Sequence, residues 1–294
     1  MFPAAAAIVT CASAVVVMLC RHPLAITRRM RRRALRRAGF VRAAIPTSVG
    51  DQAVWQRGDG PLLVLLHGIG DDAGTWSQVA PALARRFRVW IPDLAGHGAS
   101  QPAAGPLNLD LLLRALEDIL NSVEFASQSL TLAGNSLGAW LSLLYAVKHP
   151  ERVTRVILIN GAPLKDLPPG ITLTPQTREE ARRGFDAVLD PSTRRPPRFV
   201  LDEFIRTSHN GPIARLMSAG QEDRDRHLLE REIPALAVPV DLVWGVSDRL
   251  VPIEHARDLQ SRLPNARLTT IERCGHAPQI ERPQALLEVL ERIL

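Results

Sequence analysis

The chain has 294 residues, 46% of them hydrophobic, which is enough to bury the core of one large domain. Only one of its three cysteines, Cys274, lies beyond residue 20, so no disulfide framework holds the body together. The formal charge of +6 is local: residues 21–42 hold nine arginines and no acid, and elsewhere 30 acidic residues outnumber 27 basic ones. That pattern suits contact with a membrane surface, and no recognisable nucleic-acid-reading module accompanies it.

Residues 2–20 carry no charge and are dominated by Ala, Val, Ile, Leu and Met. A helix of that length spans about 28 Å, close to a hydrocarbon core of roughly 30 Å. Residues 1–20 are therefore expected to form a hydrophobic membrane anchor, and residues 21–42 an Arg-rich juxtamembrane segment. The positive-inside rule then keeps the body on the cytoplasmic side. Three alternatives compete: a cleaved signal peptide, a lipoprotein cysteine at Cys20, and a true start at Met18 or Met30 that leaves a soluble cytoplasmic protein.

Residues 41–60 contain two weakly patterned strands with turns at Gly50-Asp51 and Gly58-Asp59-Gly60. Stronger strand patterns follow near 62–66, 88–92, 130–134, 154–160, 239–244 and 266–271. Helical patterns separate them. Asn108 is placed to cap a helix that carries Leu109, Leu112, Leu113, Leu116, Leu120 and Val123 at helical spacing, and Leu286, Leu287, Leu290 and Ile293 repeat the pattern at the C-terminus. Strands alternating with helices imply an α/β fold, with a mostly parallel sheet covered on both faces. The gap after strand 154–160 is too long for a simple crossover. Residues 163–234 are expected to form an inserted helical cap between the two parts of the core, 43–162 and 235–294. Thr177 and Glu180 form a capping box there. Behind it Ala181, Phe185, Val188 and Leu189 share a face, and two further cap helices are marked by Val200, Leu201, Phe204 and Ile205, and by Ile213, Leu216 and Met217.

The most specific chemical signal is Gly134-Asn135-Ser136-Leu137-Gly138, a G-x-S-x-G between a strand pattern and an apolar helix. A strand, a tight Gly-flanked turn and a helix push a serine out on a strained elbow. Such a serine needs a base, and the base an orienting acid. His276 and Asp248 lie in the right chain order, each just past a strand pattern, where open α/β sheets place their chemistry. Ser136 is the expected nucleophile, His276 the base and Asp248 its partner. The oxyanion hole is expected from the backbone N–H of Leu137 and of Ile69, in the loop His67-Gly68-Ile69-Gly70. Asp241 and Glu254 are rival acids. His67 and His97 sit in Gly-rich turns and are read as loop-shaping residues, and Cys274 as a packed side chain. No metal-ligand cluster and no dinucleotide-binding glycine pattern is present, so no cofactor is expected.

From about Val54 onward the chain resembles the α/β-hydrolases. The resemblance rests on the oxyanion-loop motif, Asp93-Leu94-Ala95-Gly96-His97-Gly98-Ala99-Ser100, the serine elbow, Trp244-Gly245-Val246-Ser247-Asp248 and Gly275-His276. Within that superfamily it looks like bacterial lipases and esterases with a hydrophobic N-terminus, and like membrane-anchored monoacylglycerol lipases. This resemblance implies a serine hydrolase that cleaves carboxylic esters with medium or long acyl chains through an acyl-enzyme. The elbow also resembles that of C–C bond hydrolases of ring-fission products, which commonly carry Trp after the catalytic His; here that position is Ala277. Several cap arginines (182, 183, 194, 195 and 198) keep that rival open. A lactonase or acyltransferase would use the same residues, and a non-catalytic membrane-tethered binding protein would need none of them.

Overall fold

The computed structural model describes residues 21–122, 128–161, 163–230 and 232–294. The expected membrane anchor and Val123 lie outside the described residues. Among those described, no helix is long and apolar enough to cross a membrane.

Eight strands form one sheet: β1 (Val41–Ile45), β2 (Gln52–Arg57), β3 (Leu62–Leu66), β4 (Arg88–Pro92), β5 (Leu130–Asn135), β6 (Val153–Ile159), β7 (Val240–Gly245) and β8 (Ala266–Ile271). Their order is β1-β2-β4-β3-β5-β6-β7-β8, with β1, β2 and β4 paired antiparallel and every pairing from β4 through β8 parallel. The expected mostly parallel sheet is therefore present. Its central strands are buried on both faces, so they read as continuous apolar runs. Alternation still sorts their side chains into two cores. Leu62, Val64 and Leu66 of β3 join Leu132 and Leu158 on one face, while Leu63 and Leu65 join Ala133 and Ile157 on the other.

The first core is covered by two helices that follow the chain past β4 and β5. Numbered in chain order, α1 is Pro23–Arg37, α2 Ala80–Leu83, α3 Leu109–Leu120 and α4 Leu137–Lys148. Asn108 caps α3 as its position suggests, its side chain accepting from the Leu111 N–H. Between β6 and β7 the chain makes α5 (Arg178–Val188), α6 (Arg198–Ser208), α7 (Pro212–Met217) and α8 (Gly220–Asp225). Thr177 caps α5 as expected, accepting from the Glu180 N–H at 3.2 Å, but the reciprocal half of the box is shifted: Glu180 accepts from the Gln176 N–H at 2.7 Å, one residue before the cap. Helix α8 was not expected, because Gly-Gln-Glu-Asp-Arg-Asp offers no apolar stripe to read. The chain ends in α9 (Ile253–Arg262), the short α10 (Pro278–Glu281) and α11 (Pro283–Ile293).

The Arg-rich segment is itself folded. Residues 23–37 form α1, which packs onto the body and completes the second core with Leu35. Its sequence carries the start and stop signals. Pro23 sits in the first turn, and Arg36 and Arg37 lie at the negative end of the helix dipole. Gly39, at φ 84°, ends the helix in a Schellman turn: its N–H donates to Arg36 O, and the Phe40 N–H to Leu35 O, both at 2.9–3.0 Å. The two apolar residues that flank such a turn, Leu35 and Phe40, are both buried in the same core. A chain started at Met30 would lack the first two turns of this helix.

Because Leu35 is fully buried, Leu35→Ala should lower unfolding free energy by about 2–5 kcal/mol. Denaturant titration of the full chain in detergent checks this. A change below about 0.5 kcal/mol, the range of surface substitutions, would mean that α1 is not part of the cooperative core.

Candidate active site

Ser136 stands between β5 and α4 at φ 55° and ψ −116°, a backbone region that costs a non-glycine residue about 1–3 kcal/mol. Missing side chains make the turn feasible. A Cβ on Gly134 would lie 2.2 Å from the Gly138 backbone, and one on Gly138 would lie 2.4 Å from Leu66 O. Gly161, which drew no notice in the sequence, is equally tight, since its Cβ would lie 2.5 Å from Ser136 O.

His276 and Asp248 are brought together by the ends of β7 and β8. His276 Nδ1 lies 2.7 Å from Asp248 Oδ2, and both residues are almost fully buried. The carboxylate is fully occupied. Oδ1 accepts from the Leu250 and Val251 N–H groups at 2.9 Å each, and Oδ2 also accepts from Asn160 Nδ2 at 2.7 Å. The rival acids are elsewhere: Asp241 is paired with Arg155, and Glu254 lies 3.3 Å from Arg257 in an exposed pair.

Two asparagines that sequence reasoning missed tie these loops together. Asn160, at φ 45°, donates to Asp248 and accepts from the Gly245 N–H at 3.0 Å, which ties β6 to the end of β7. Asn135, beside Ser136, donates to His276 O at 2.9 Å and to Ile159 O at 3.0 Å, and accepts from Gln279 Nε2 at 3.0 Å. Only one signal was available in advance: each asparagine closes a parallel strand beside a glycine or the elbow serine.

The segment between β6 and β7 clamps the same loops. Val188 O, at the end of α5, accepts the His276 N–H at 2.8 Å, and Ala187 O accepts the Arg249 N–H at 2.9 Å. Asp190 accepts from Ser192 and from Ser247, the neighbour of Asp248, and these bonds hold its carboxyl near a pKa of about 2.

Ser136 and His276 face one cavity of 880 Å³. Leu137, Trp140 and Ile69 line it from the core side, and Phe185, Val188, Phe204, Ile213, Leu216 and Met217 from the expected cap. Ala181 and Leu201 are buried without lining it, holding their helices in place. Among the described residues, the N–H groups of Ile69 and Leu137 bond to no acceptor. None of the five arginines singled out in the cap (182, 183, 194, 195 and 198) lines the cavity.

The set-aside residues shape the loops. His67 Nδ1 donates to Gly68 O at 2.8 Å, and Nε2 accepts from the Leu94 N–H at 2.9 Å, so neither nitrogen is left for proton transfer. Burial, reinforced by His67, pushes His97 down to about 3 and keeps it neutral. Burial pushes the Cys274 thiol up to about 12, which leaves it protonated and inert. No group of His, Cys, Asp or Glu among the described residues is arranged to hold a metal ion.

The alpha/beta hydrolase family model matches residues 63–289. The chain belongs to that family. This alpha/beta hydrolase is 30% identical to a pimeloyl-[acyl-carrier protein] methyl ester esterase of Aeromonas hydrophila, over 81% of this chain and 96% of that one. It is 28% identical to a 2-hydroxy-6-oxo-6-phenylhexa-2,4-dienoate hydrolase of Burkholderia cepacia, over 78% and 85% of the two chains. Its fold matches a membrane phospholipase A described as a bacterial virulence factor, with a TM-score of 0.72 over 99% of this chain and 97% of that one, at 23% identity.

The Asp190 carboxyl links the β6–β7 segment to the Asp248 loop, and its depressed pKa sets a pH signature. Its ionised form contributes stability above its unfolded value, near 3.8, and loses it as pH falls toward about 2. The stability gap between wild type and Asp190→Ala should be widest above about pH 5 and narrow steadily toward pH 2. Denaturant midpoints across that range test it; a gap independent of pH would show that the carboxylate charge contributes nothing.

Proposed function

We propose that this hydrolase cleaves carboxylic esters with medium or long acyl chains through an acyl-enzyme on Ser136. The observation that carries this reading is the buried His276–Asp248 pair, which faces the same apolar cavity as a serine on a strained elbow. Ser136 Oγ attacks the acyl carbonyl and passes its proton to His276 Nε2. Asp248 holds Nδ1–H and stabilises the imidazolium. The tetrahedral oxyanion is received by the Ile69 and Leu137 N–H groups, and the N-terminus of α4 adds its positive dipole end. Losing one such donor typically costs about 2.7–4 kcal/mol of transition-state stabilisation. His276 then returns the proton to the departing alcohol, and a water activated by the same imidazole releases the acid.

The cavity supports an apolar acyl group. Its volume is near the upper end of the roughly 300–1,000 Å³ usual for small-molecule sites, and two aromatic rings, Phe185 and Phe204, meet edge to face at 5.3 Å in its wall. The relatives named as an ester esterase and as a dienoate hydrolase fit two chemistries on one constellation. The ester reading is preferred because Ala277 stands where the second group commonly has Trp. Cap arginines do not separate the two readings, since Arg206 and Arg224 line the cavity while the five singled out lie off it.

We also propose that the N-terminal region, residues 1–42, holds the protein at a membrane with the body on the cytoplasmic side. The exposed face of α1 supports this, since it presents Arg29, Arg33, Arg36 and Arg37 around Met30, which is 64% exposed. Each arginine at an anionic surface contributes about 1 kcal/mol.

Hydrolysis of p-nitrophenyl esters of rising chain length should peak at medium or long chains. Ser136→Ala should abolish it while leaving the melting temperature within a few degrees of wild type. Ester turnover retained in Ser136→Ala would remove the nucleophile assignment; turnover of a dienoate ring-fission product without any ester hydrolysis would move the reading to C–C cleavage. On flotation with vesicles, replacing Arg29, Arg33, Arg36 and Arg37 by Ser should reduce the preference for anionic over zwitterionic lipid. An unchanged preference would remove α1 from the membrane contact.

A further inference from the structure

The expected oxyanion loop is held from a part of the chain outside the region matched by the family model. Helix α1 ends about 25 residues before that region begins. Two of its arginines, one helical turn apart and therefore on one face, reach the loop and the residues just after it. Arg28 Nη2 donates to Gly70 O at 2.5 Å, and Arg32 Nε lies 3.7 Å from the buried Asp72 carboxylate. The helix also lies close against the next turn: a Cβ on Gly74 would be 3.0 Å from the Arg31 Cβ.

Within the loop itself, His67 Nδ1 holds Gly68 O at 2.8 Å. Residues 68–71 form a turn closed by the Asp71 N–H on Gly68 O at 3.3 Å, a long bond. Gly70 occupies the third position at φ 73°. Its carbonyl and the Asp71 N–H belong to one planar peptide, and that N–H meets Gly68 O, whose own peptide carries the Ile69 N–H. The Ile213 side chain of α7 presses on the same glycine, where a Cβ would lie 2.7 Å away. A Cβ on Gly68 would lie 3.3 Å from the Ser136 Cβ. The turn is thus fixed against sliding by contact, but its peptide planes are oriented by hydrogen bonds. The bond to Gly70 O is the charge-assisted one, from a half-buried guanidinium in the wall of the cavity.

We propose that Arg28 is a positioning residue for the oxyanion hole: by fixing the Gly70–Asp71 peptide it holds the Asp71 N–H on Gly68 O, and with it the Gly68–Ile69 peptide that carries the Ile69 N–H, so the N-terminal helix is part of the catalytic apparatus. This rests on the ester-hydrolase reading, in which the Ile69 N–H meets the developing oxyanion. A donor rotated away from the oxyanion loses most of its effect, because that stabilisation depends on alignment fixed before the reaction. The Arg28 guanidinium bonds to the loop and to neither Ser136 nor His276. Its removal should therefore slow the chemical step and leave ground-state binding nearly intact.

The test compares wild type, Arg28→Ala and Arg28→Lys, each as full chain in detergent micelles. Two rates are read: p-nitrophenyl ester hydrolysis, and covalent labelling of Ser136 by a fluorophosphonate. Labelling needs a reactive serine and an oxyanion hole but no ester substrate. Arg28→Ala should lower kcat roughly tenfold or more, short of the 10²–10³ seen for outright loss of a donor, with KM within about twofold. The labelling rate should fall by a similar factor, and Arg28→Lys should recover part of both. The inference is overturned if kcat and labelling are unchanged in Arg28→Ala. It is also overturned if KM alone rises, which would make Arg28 a substrate contact, or if the losses follow the melting temperature and Lys restores nothing. Wild type that labels on Ser136 but hydrolyses no ester would sink the ester reading alone, since the labelling rates still judge Arg28. Absence of labelling on Ser136 would sink both.

Discussion

A serine held at φ 55° at the crossing of β5 and α4 is the constraint on which the rest of this molecule depends. The conformation is costly for any residue with a Cβ, and it persists only where the surroundings over-determine it. Here they do so by close approach. Gly134 and Gly138 let strand and helix meet at distances no side chain could occupy, Gly161 lets β6 press on the serine backbone, and Gly68 brings the next loop against the serine Cβ. Three stretches of chain, at residues 68, 134–138 and 161, converge on one residue, and four glycines surrender a side chain to let them do so. The central sheet is buried on both faces, so its strands cannot shift register to relieve the crowding without carrying apolar side chains to the wrong core.

Around that point the polar groups are shared rather than isolated. The Asp248 carboxylate accepts from two backbone amides, from Asn160 and from His276, so a buried charge is met by four donors. Burial without such partners would have cost far more than the sheet could return. The same economy appears in Asn135, which joins the elbow, β6 and the His276 loop through one side-chain amide and is itself held by Gln279. The segment between β6 and β7 supplies the cavity's apolar wall and also bonds through Ala187, Val188 and Asp190 to the loops that carry Arg249, His276 and Ser247. The part of the chain that encloses the cavity therefore also braces the loops beneath it.

The N-terminal helix extends the same logic. Its inner face gives Leu35 to the core and Leu24, Thr27 and Arg28 to the cavity, while its outer face exposes arginines. Glu203 of α6, almost fully buried, accepts the Leu24 N–H at 2.5 Å, and Arg206 of the same helix donates to Arg21 O at 3.0 Å. One fifteen-residue helix thus touches the sheet core, the cavity-lining helices and the expected oxyanion loop at once. Its arginine run is a folded element as well as a charge pattern.

The sequence by itself determined the α/β class, the strand order of appearance, the serine elbow, and the candidate set Ser136, Asp248 and His276 with Ile69 and Leu137. Each of these is written in local signals: period-2 and period-3.6 apolar patterns, glycines spaced around a serine, acid and histidine just past apolar runs. Tertiary structure alone decided the rest. Asn160, Asn135, Gly161 and Gln279 matter through partners 24 to 144 residues away, and nothing local distinguishes them from other small or polar loop residues. Helix α1 was half legible: its Pro23 start and its Gly39–Phe40 stop are local, but an arginine run has no apolar stripe, so only the body it docks against could reveal which face turns inward. Asp248 could be read from its place just past a strand pattern, but only the structure shows the rivals engaged elsewhere, Asp241 with Arg155 and Glu254 with Arg257. Long-range proximity is a property of the sheet, and no residue carries it alone.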